Sequence, residues 1–219
     1  MTANTAELAD LLIAPSTGLN TPIWLPLLRL LAEGEPVTLG ALAAASGKTM
    51  AEVVHGLAAA PDTEYDELGR IVGQGLTLRN TPYRFEVNGN ALYTWCSLDT
   101  LIFPALLEAT ATIESVSPAT GDVIRLTVDP DGVRHIDPPN AVVSIVTPED
   151  MSSVRSAFCN QVHFFTSPDD AQGWLTTHPG GSILTVDEAY ELGTTIAATL
   201  LAHSEADQPA TVQPSQQCC

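Results

Sequence analysis

The apolar positions change period along the chain. Over residues 6–13 they fall on one face of a short helix that Pro15 stops. Over 23–33, Leu25, Leu27, Leu28, Leu30 and Leu31 form a broad apolar stripe ended by Gly34 and Pro36. Pro26 suits this second helix because it falls in the first turn, where no backbone donor is needed. From 37 to 60 the rhythm is helix, turn, helix. Thr38 stands at an N-cap position for a helix running to Ala45, Ser46-Gly47 make the turn, and Thr49 with Glu52 has capping-box spacing. Leu39, Leu42, Ala43, Val53, Val54 and Leu57 can hold the two helices together, which predicts a helix-turn-helix. Residues 71–78 and 83–87 then alternate and are expected to pair around Asn80-Thr81-Pro82. Helices followed by such a hairpin suggest a winged-helix-like module.

Beyond it, 91–108 reads as one helix kinked near Pro104. Strands are expected at 111–116, 123–128, 133–136 and 142–146, separated by Gly, Pro and Asp turns. A helix over 148–158 would carry Glu149 and Asp150 in its first turn, where acids are favourable. A short strand at 162–165, a helix at 169–176 and a strand at 182–186 follow, with Asp187 placed to cap a last helix reaching about His203. After Ser204 the chain turns to Pro, Gln, Ser and Ala. The pattern predicts an α+β fold: an N-terminal winged-helix-like helical module over 1–80, a mixed α/β catalytic domain with antiparallel strands over 81–204, and a disordered tail over 205–219.

Composition narrows the partners. With 219 residues, 45% of them hydrophobic, the chain can bury a sizeable core. Its 26 acids against 8 bases leave a net charge of −18. Such a surface repels phosphate, which argues against nucleic acid and against an anionic membrane as partners. The second helix of the helix-turn-helix, 49–60, has no Lys or Arg at all, so packing is the expected use of that module rather than DNA reading. The chain does not open on a signal-peptide pattern, and no apolar run is long enough to span a bilayer. The expected location is the cytoplasm, where Cys96, Cys159, Cys218 and Cys219 would be reduced thiols. Their spacings match no zinc ribbon or finger.

Two segments can carry chemistry. In Trp95-Cys96-Ser97-Leu98-Asp99, a helical backbone would put Cys96 and Asp99 on one face. A carboxylate beside a thiol can take its proton and deliver it elsewhere, although a buried structural Cys beside a capping Asp is an equally simple account. The apolar neighbours Leu92, Trp95, Leu98, Leu101, Ile102 and Phe103 make an acid here costly. The second segment is Ser156-Ala157-Phe158-Cys159-Asn160-Gln161-Val162-His163-Phe164-Phe165. Cys159 falls at an expected helix-to-strand junction. His163 is a base, a ligand or a hydrogen-bonded core residue.

Together these segments resemble the alkylmercury (organomercurial) lyase family. The likeness extends from residues 93–105 and 156–165 to Thr63-Glu64-Tyr65-Asp66, Gly73-Gln74-Gly75-Leu76-Thr77-Leu78-Arg79 and Ala119-Thr120-Gly121, in matched order from about Pro22 to about Leu200. The resemblance implies an enzyme that protonates the carbon of a carbon–mercury bond, releasing hydrocarbon and Hg²⁺. It implies Cys96 and Cys159 as mercury ligands and Asp99 as the acid beside the metal. Trp95 is either part of an apolar wall around them or a core residue. Soft thiolates suit a soft metal. No resident cofactor is implied, because mercury arrives with the substrate. Small thiols and a mercuric reductase are the expected acceptors of Hg²⁺, and Cys218-Cys219 is either a further relay or an incidental pair on the tail. Some family members carry extra cysteines at the positions of Ser117 and Asn160, which leaves accessory thiol roles without a residue here. The alternative reading is a cysteine-based mercury or metal sensor or scavenger that binds without catalysis.

Overall fold

The computed structural model describes residues 5–14, 17–60 and 62–206. The expected 205–219 tail, with Cys218 and Cys219, lies almost entirely outside them. The N-terminal helices form where the pattern puts them: α1 Thr5–Leu12, α2 Trp24–Leu31, α3 Leu39–Ser46 and α4 Met50–Ala58. Thr38 accepts a hydrogen bond from the Ala41 amide, Gly47 ends α3 in the left-handed region, and Thr49 and Glu52 form a reciprocal capping box. Leu27, Leu28, Leu31, Leu42 and Val53 are fully buried between them.

The strands differ from expectation in their partners. Residues 71–78 are not one strand. Gly75, at φ +84, breaks the run into β2 (Ile71–Gln74) and β3 (Leu76–Thr77), which fold back on each other. A left-handed residue cannot continue an extended strand, and alternation alone does not reveal the reversal. The wing-like ribbon is therefore β1 (Glu64–Tyr65) against β2, with Val37 bridged to Ile71. The expected pairing of 71–78 with 83–87 is replaced by a hairpin between β4 (Tyr83–Val87) and β5 (Asn90–Thr94). Its Asn88-Gly89 turn has φ of +52 and +80, the positive pair that a tight hairpin requires.

That hairpin also corrects the helix expected over 91–108. Its first residues are strand, and the helix α5 begins only at Ser97 and runs to Leu107. The remaining strands of the large sheet, β6 (Ala111–Val116), β7 (Val123–Asp129) and β8 (Gly132–Asp137), follow as a meander. The sheet has eight strands in the order β1-β2-β3-β5-β4-β6-β7-β8, every pairing antiparallel. It thus runs unbroken across residue 80. Tyr83, Phe85, Val87, Ile113, Ile124, Leu126 and Val128 alternate inward, and α5 packs on β4 to β7.

A small sheet places β9 (Val142–Ile145) between β10 (Phe164–Phe165) and β11 (Ser182–Thr185). Two further corrections concern helix starts. Of residues 148–158 only α6, Val154–Ala157, is helical. Ser153 caps it, while Glu149 and Asp150 precede it and Asp150 accepts from the Ser152 amide in a local turn. After α7 (Gln172–Thr177), the last helix α8 (Val186–Ala206) is capped by Thr185, whose hydroxyl accepts from the Glu188 amide while Glu188 accepts from the Thr185 amide. Asp187 is not the cap, because the reciprocal Thr–Glu box satisfies two donors at once. The helix α8 lies along α5 and touches α1, so the two ends of the described chain meet beside the helix that Cys96 caps.

Gly75 is the position where this arrangement tolerates nothing larger. A Cβ there would sit 2.9 Å from Phe103 Cζ on a left-handed backbone. Gly75→Ala is expected to destabilise the protein by about 2–4 kcal/mol, combining the left-handed cost with overpacking. Denaturant unfolding of wild type and variant measures it.

Candidate active site

Cys96 is the N-cap of α5, held extended at φ −147 and ψ 173 after the β5 strand ends. Its backbone amide donates to Asp99 Oδ2 at 3.1 Å, and its sulfur receives the Asp99 amide. The pair therefore uses capping-box geometry with a thiol in place of the usual hydroxyl. Cys159 opens a 3₁₀ turn, Cys159–Gln161, directly after α6. The two sulfurs and a carboxylate oxygen of Asp99 all lie within 4.8 Å of one another. Both thiols are buried and free. The three residues singled out from the sequence thus meet, although 63 positions separate the cysteines (159 − 96).

Electrostatics make this a site that resists negative charge. Burial pushes the Asp99 carboxyl up to about 7, against the pull of the Cys96 thiol and the neighbouring backbone amides. Asp99 keeps a partial opening to solvent, while side chains crowd it on the other sides. Burial also holds the Cys96 thiol well above its ordinary range, helped by its hydrogen bond to Cys159 and the charge of Asp99. For Cys159 the hydrogen bond from Cys96 pulls downward, as does Arg155, but burial and the charges of Asp99 and Asp62 win and the thiol is raised. Three acids sharing one dry pocket cannot all ionise. A soft cation that replaces their protons relieves the conflict.

The surrounding pocket is apolar. Trp24, Gly75, Trp95, Leu98, Phe103 and Phe158 line it beside Asp99 and Cys159, and Leu12, Leu19, Ile196 and Leu200 form its far wall. That wall comes from α1, the segment after it, and α8. Trp95 is part of the lining, 5% exposed, with the Arg155 guanidinium 5.0 Å above its ring. Arg155 also pairs with Glu64, and its amide donates to Asp62 Oδ2, which fixes α6 and the turn after it.

His163 is a hydrogen-bonded, half-buried residue, bonded through Nδ1 to the Tyr83 hydroxyl. Burial lowers its pKa, with His178 adding to the effect. Ser117 is buried and donates to Asp170 at 2.7 Å, a structural contact, while Asn160 is exposed. Neither is among the residues lining the pocket. Sequence reasoning did not single out Tyr83, Asp62 or Arg155. The available signal was Thr63-Glu64-Tyr65-Asp66, whose Glu64 is the partner of Arg155. The far wall left no signal beyond ordinary hydrophobic residues.

A raised pKa has a sign for stability. Asp99 is neutral more readily folded than unfolded, so its contribution is full below its ordinary value of 3.8 and is lost as pH rises through about 7. Asp99→Asn is therefore expected to melt higher than wild type at pH 8, with the difference vanishing by about pH 4. Equal melting curves at pH 8 would contradict the buried, raised carboxyl.

Comparison with known proteins places this geometry in context. Residues 76–198 match a family model described as alkylmercury lyase, and residues 5–75 match one described as the helix-turn-helix domain of alkylmercury lyase. The chain is 55% identical over 179 residues to an alkylmercury lyase of Streptomyces lividans, covering 82% of this chain and 83% of that one. It is 49% identical over 183 residues to an alkylmercury lyase of Pseudomonas putida, covering 84% and 86%. The crystal structure of the mercury-bound form of MerB2 matches with a TM-score of 0.73 at 24% identity, covering 91% of this chain and all 100% of that one, a likeness of fold.

Proposed function

Because the chain belongs to the alkylmercury lyase family, we propose that it cleaves the carbon–mercury bond of organomercury compounds by protonating the carbon while Cys96 and Cys159 hold the metal. The observation that carries this reading is the cluster of two free, buried sulfurs and the Asp99 carboxylate within 4.8 Å.

The reaction follows from the acidities. One thiol exchanges with the ligand X of R–Hg–X, giving R–Hg–S and HX. The proton of the other thiol passes to the Asp99 carboxylate, and the thiolate so formed adds to mercury. The second donor raises electron density on the bound carbon. Asp99, poised to about 7 by burial, then gives its proton to that carbon. R–H leaves, Hg²⁺ remains on two sulfurs, and Asp99 is again a carboxylate. The apolar pocket keeps water from competing and receives the organic group. Mercury is substrate and product here, and no step calls on a resident cofactor.

Hg²⁺ then leaves by exchange with small thiols or with the thiols of a mercuric reductase. The reaction needs both cysteines reduced, which suits the cytoplasm. Among the described residues, no helix is long and apolar enough to cross a membrane. The helix-turn-helix works as a packing unit in this reading: α4 carries no Lys or Arg, whereas Leu12, Leu19 and Trp24 from the same N-terminal part line the pocket.

Headspace gas chromatography of purified protein with methylmercury and excess small thiol tests the proposal. Methane is expected from wild type. Cys96→Ala, Cys159→Ala and Asp99→Ala are each expected to lose at least ~100-fold of the rate, as groups that act only together in one proton transfer. Mercury binding by wild type without methane would leave a sensor or scavenger instead.

A further inference from the structure

The two cysteine segments meet at one carbonyl oxygen. Val162 O accepts from the Ser97 amide at 3.3 Å, one residue after Cys96, and from the Tyr83 hydroxyl at 3.1 Å. The Val162 amide closes the Cys159 turn on the Cys159 carbonyl at 3.2 Å. With its one proton directed to Val162 O, the Tyr83 hydroxyl accepts from His163 Nδ1. Tyr83, held by His163, thus grips the end of the turn at Val162. Ser144 holds the same stretch from the small sheet, donating to Gln161 O at 3.0 Å and accepting from the His163 amide at 2.9 Å.

Tyr83 is 3% exposed, and its neighbours along the inward face of β4, Phe85 and Val87, are plain core residues. A phenylalanine would fill the space of its ring, so only the hydroxyl is left to account for. That hydroxyl reaches the turn bearing one sulfur at the residue that also contacts the segment bearing the other. We propose that Tyr83, backed by His163, is a positioning residue that sets the spacing of Cys96 and Cys159 for simultaneous attachment to one mercury. This rests on the reading that both sulfurs hold the metal. Capture of R–Hg by a single sulfur tolerates loose spacing. Adding the second sulfur to the same metal does not, so the clamp acts on the step that activates the carbon and on retention of the product.

The test compares Tyr83→Phe, His163→Leu and His163→Gln in the full chain. It measures methane kcat and KM, melting temperature, and loss of bound Hg²⁺ to a titrated small dithiol. Tyr83→Phe is expected to keep its fold and hold KM within about threefold, yet lose ~10–100-fold in kcat and give up Hg²⁺ at ~10–100-fold lower dithiol, the usual cost of losing a group that orients a metal ligand. His163→Leu removes the ring N–H that donates to the Tyr83 oxygen and should lose in the same way. His163→Gln restores a neutral N–H donor and should recover most of that loss, which a merely space-filling role would not predict. Wild-type kcat and mercury retention in both Tyr83→Phe and His163→Leu would overturn the proposal. Should Tyr83→Phe fail to fold, the two His163 variants decide. Absence of methane from wild type would count against the lyase reading alone, and the dithiol competition would still test the clamp.

Discussion

The hydrogen bond from the Ser97 amide to the Val162 carbonyl joins two parts of the chain that have no reason to meet locally. Ser97 is the first residue of α5, whose amide has no partner within the helix. Val162 ends the turn that Cys159 begins. Satisfying one orphan donor with that carbonyl brings the N-cap of a helix against a 3₁₀ turn, and with them two thiols and a carboxylate. The hairpin of β4 and β5 determines where α5 starts, and the small sheet anchors the turn through Ser144.

Burial then gives these ordinary groups unusual properties. A thiol at a helix N-terminus is normally made more acidic by the aligned peptide dipoles. Here desolvation is stronger, and both thiols and Asp99 are held toward their neutral forms. Acids that keep their protons in a dry pocket give them up when a soft cation takes their place. A carboxyl raised to about 7 can both accept and donate a proton near neutrality, which a surface aspartate cannot.

The helix-turn-helix illustrates how a motif and its use separate. Its caps and turn are regular, yet its second helix lacks the cations that contact with a nucleic-acid backbone requires. The residues that precede it, Leu12, Leu19 and Trp24, join α8 in lining the pocket beside Asp99 and Cys159. The β1–β2 ribbon continues into the large sheet, so module and catalytic strands share one hydrogen-bonded framework. Such a shared framework keeps the pocket wall and the reactive groups in register.

Much of this was legible in the sequence because its causes are local. Caps at Thr38 and Thr49, the Gly47 stop and the alternating strands from 111 to 145 follow from neighbouring residues, and the resemblance supplied Cys96, Asp99 and Cys159 by motif. The errors arose where local pattern underdetermines partners. Ala91 to Thr94 reads as helix by composition, but the positive-φ Asn88-Gly89 turn folds it back as strand, and Gly75 divides what alternation presents as one strand. Sequence alone determined which thiols and which carboxyl the chain offers for this chemistry. Only the tertiary structure decided that they meet, that Tyr83 and Arg155 stand behind them, and that helices from both ends of the described chain enclose them. Distance and desolvation depend on which residues pack together across the chain, and no spacing along it encodes either.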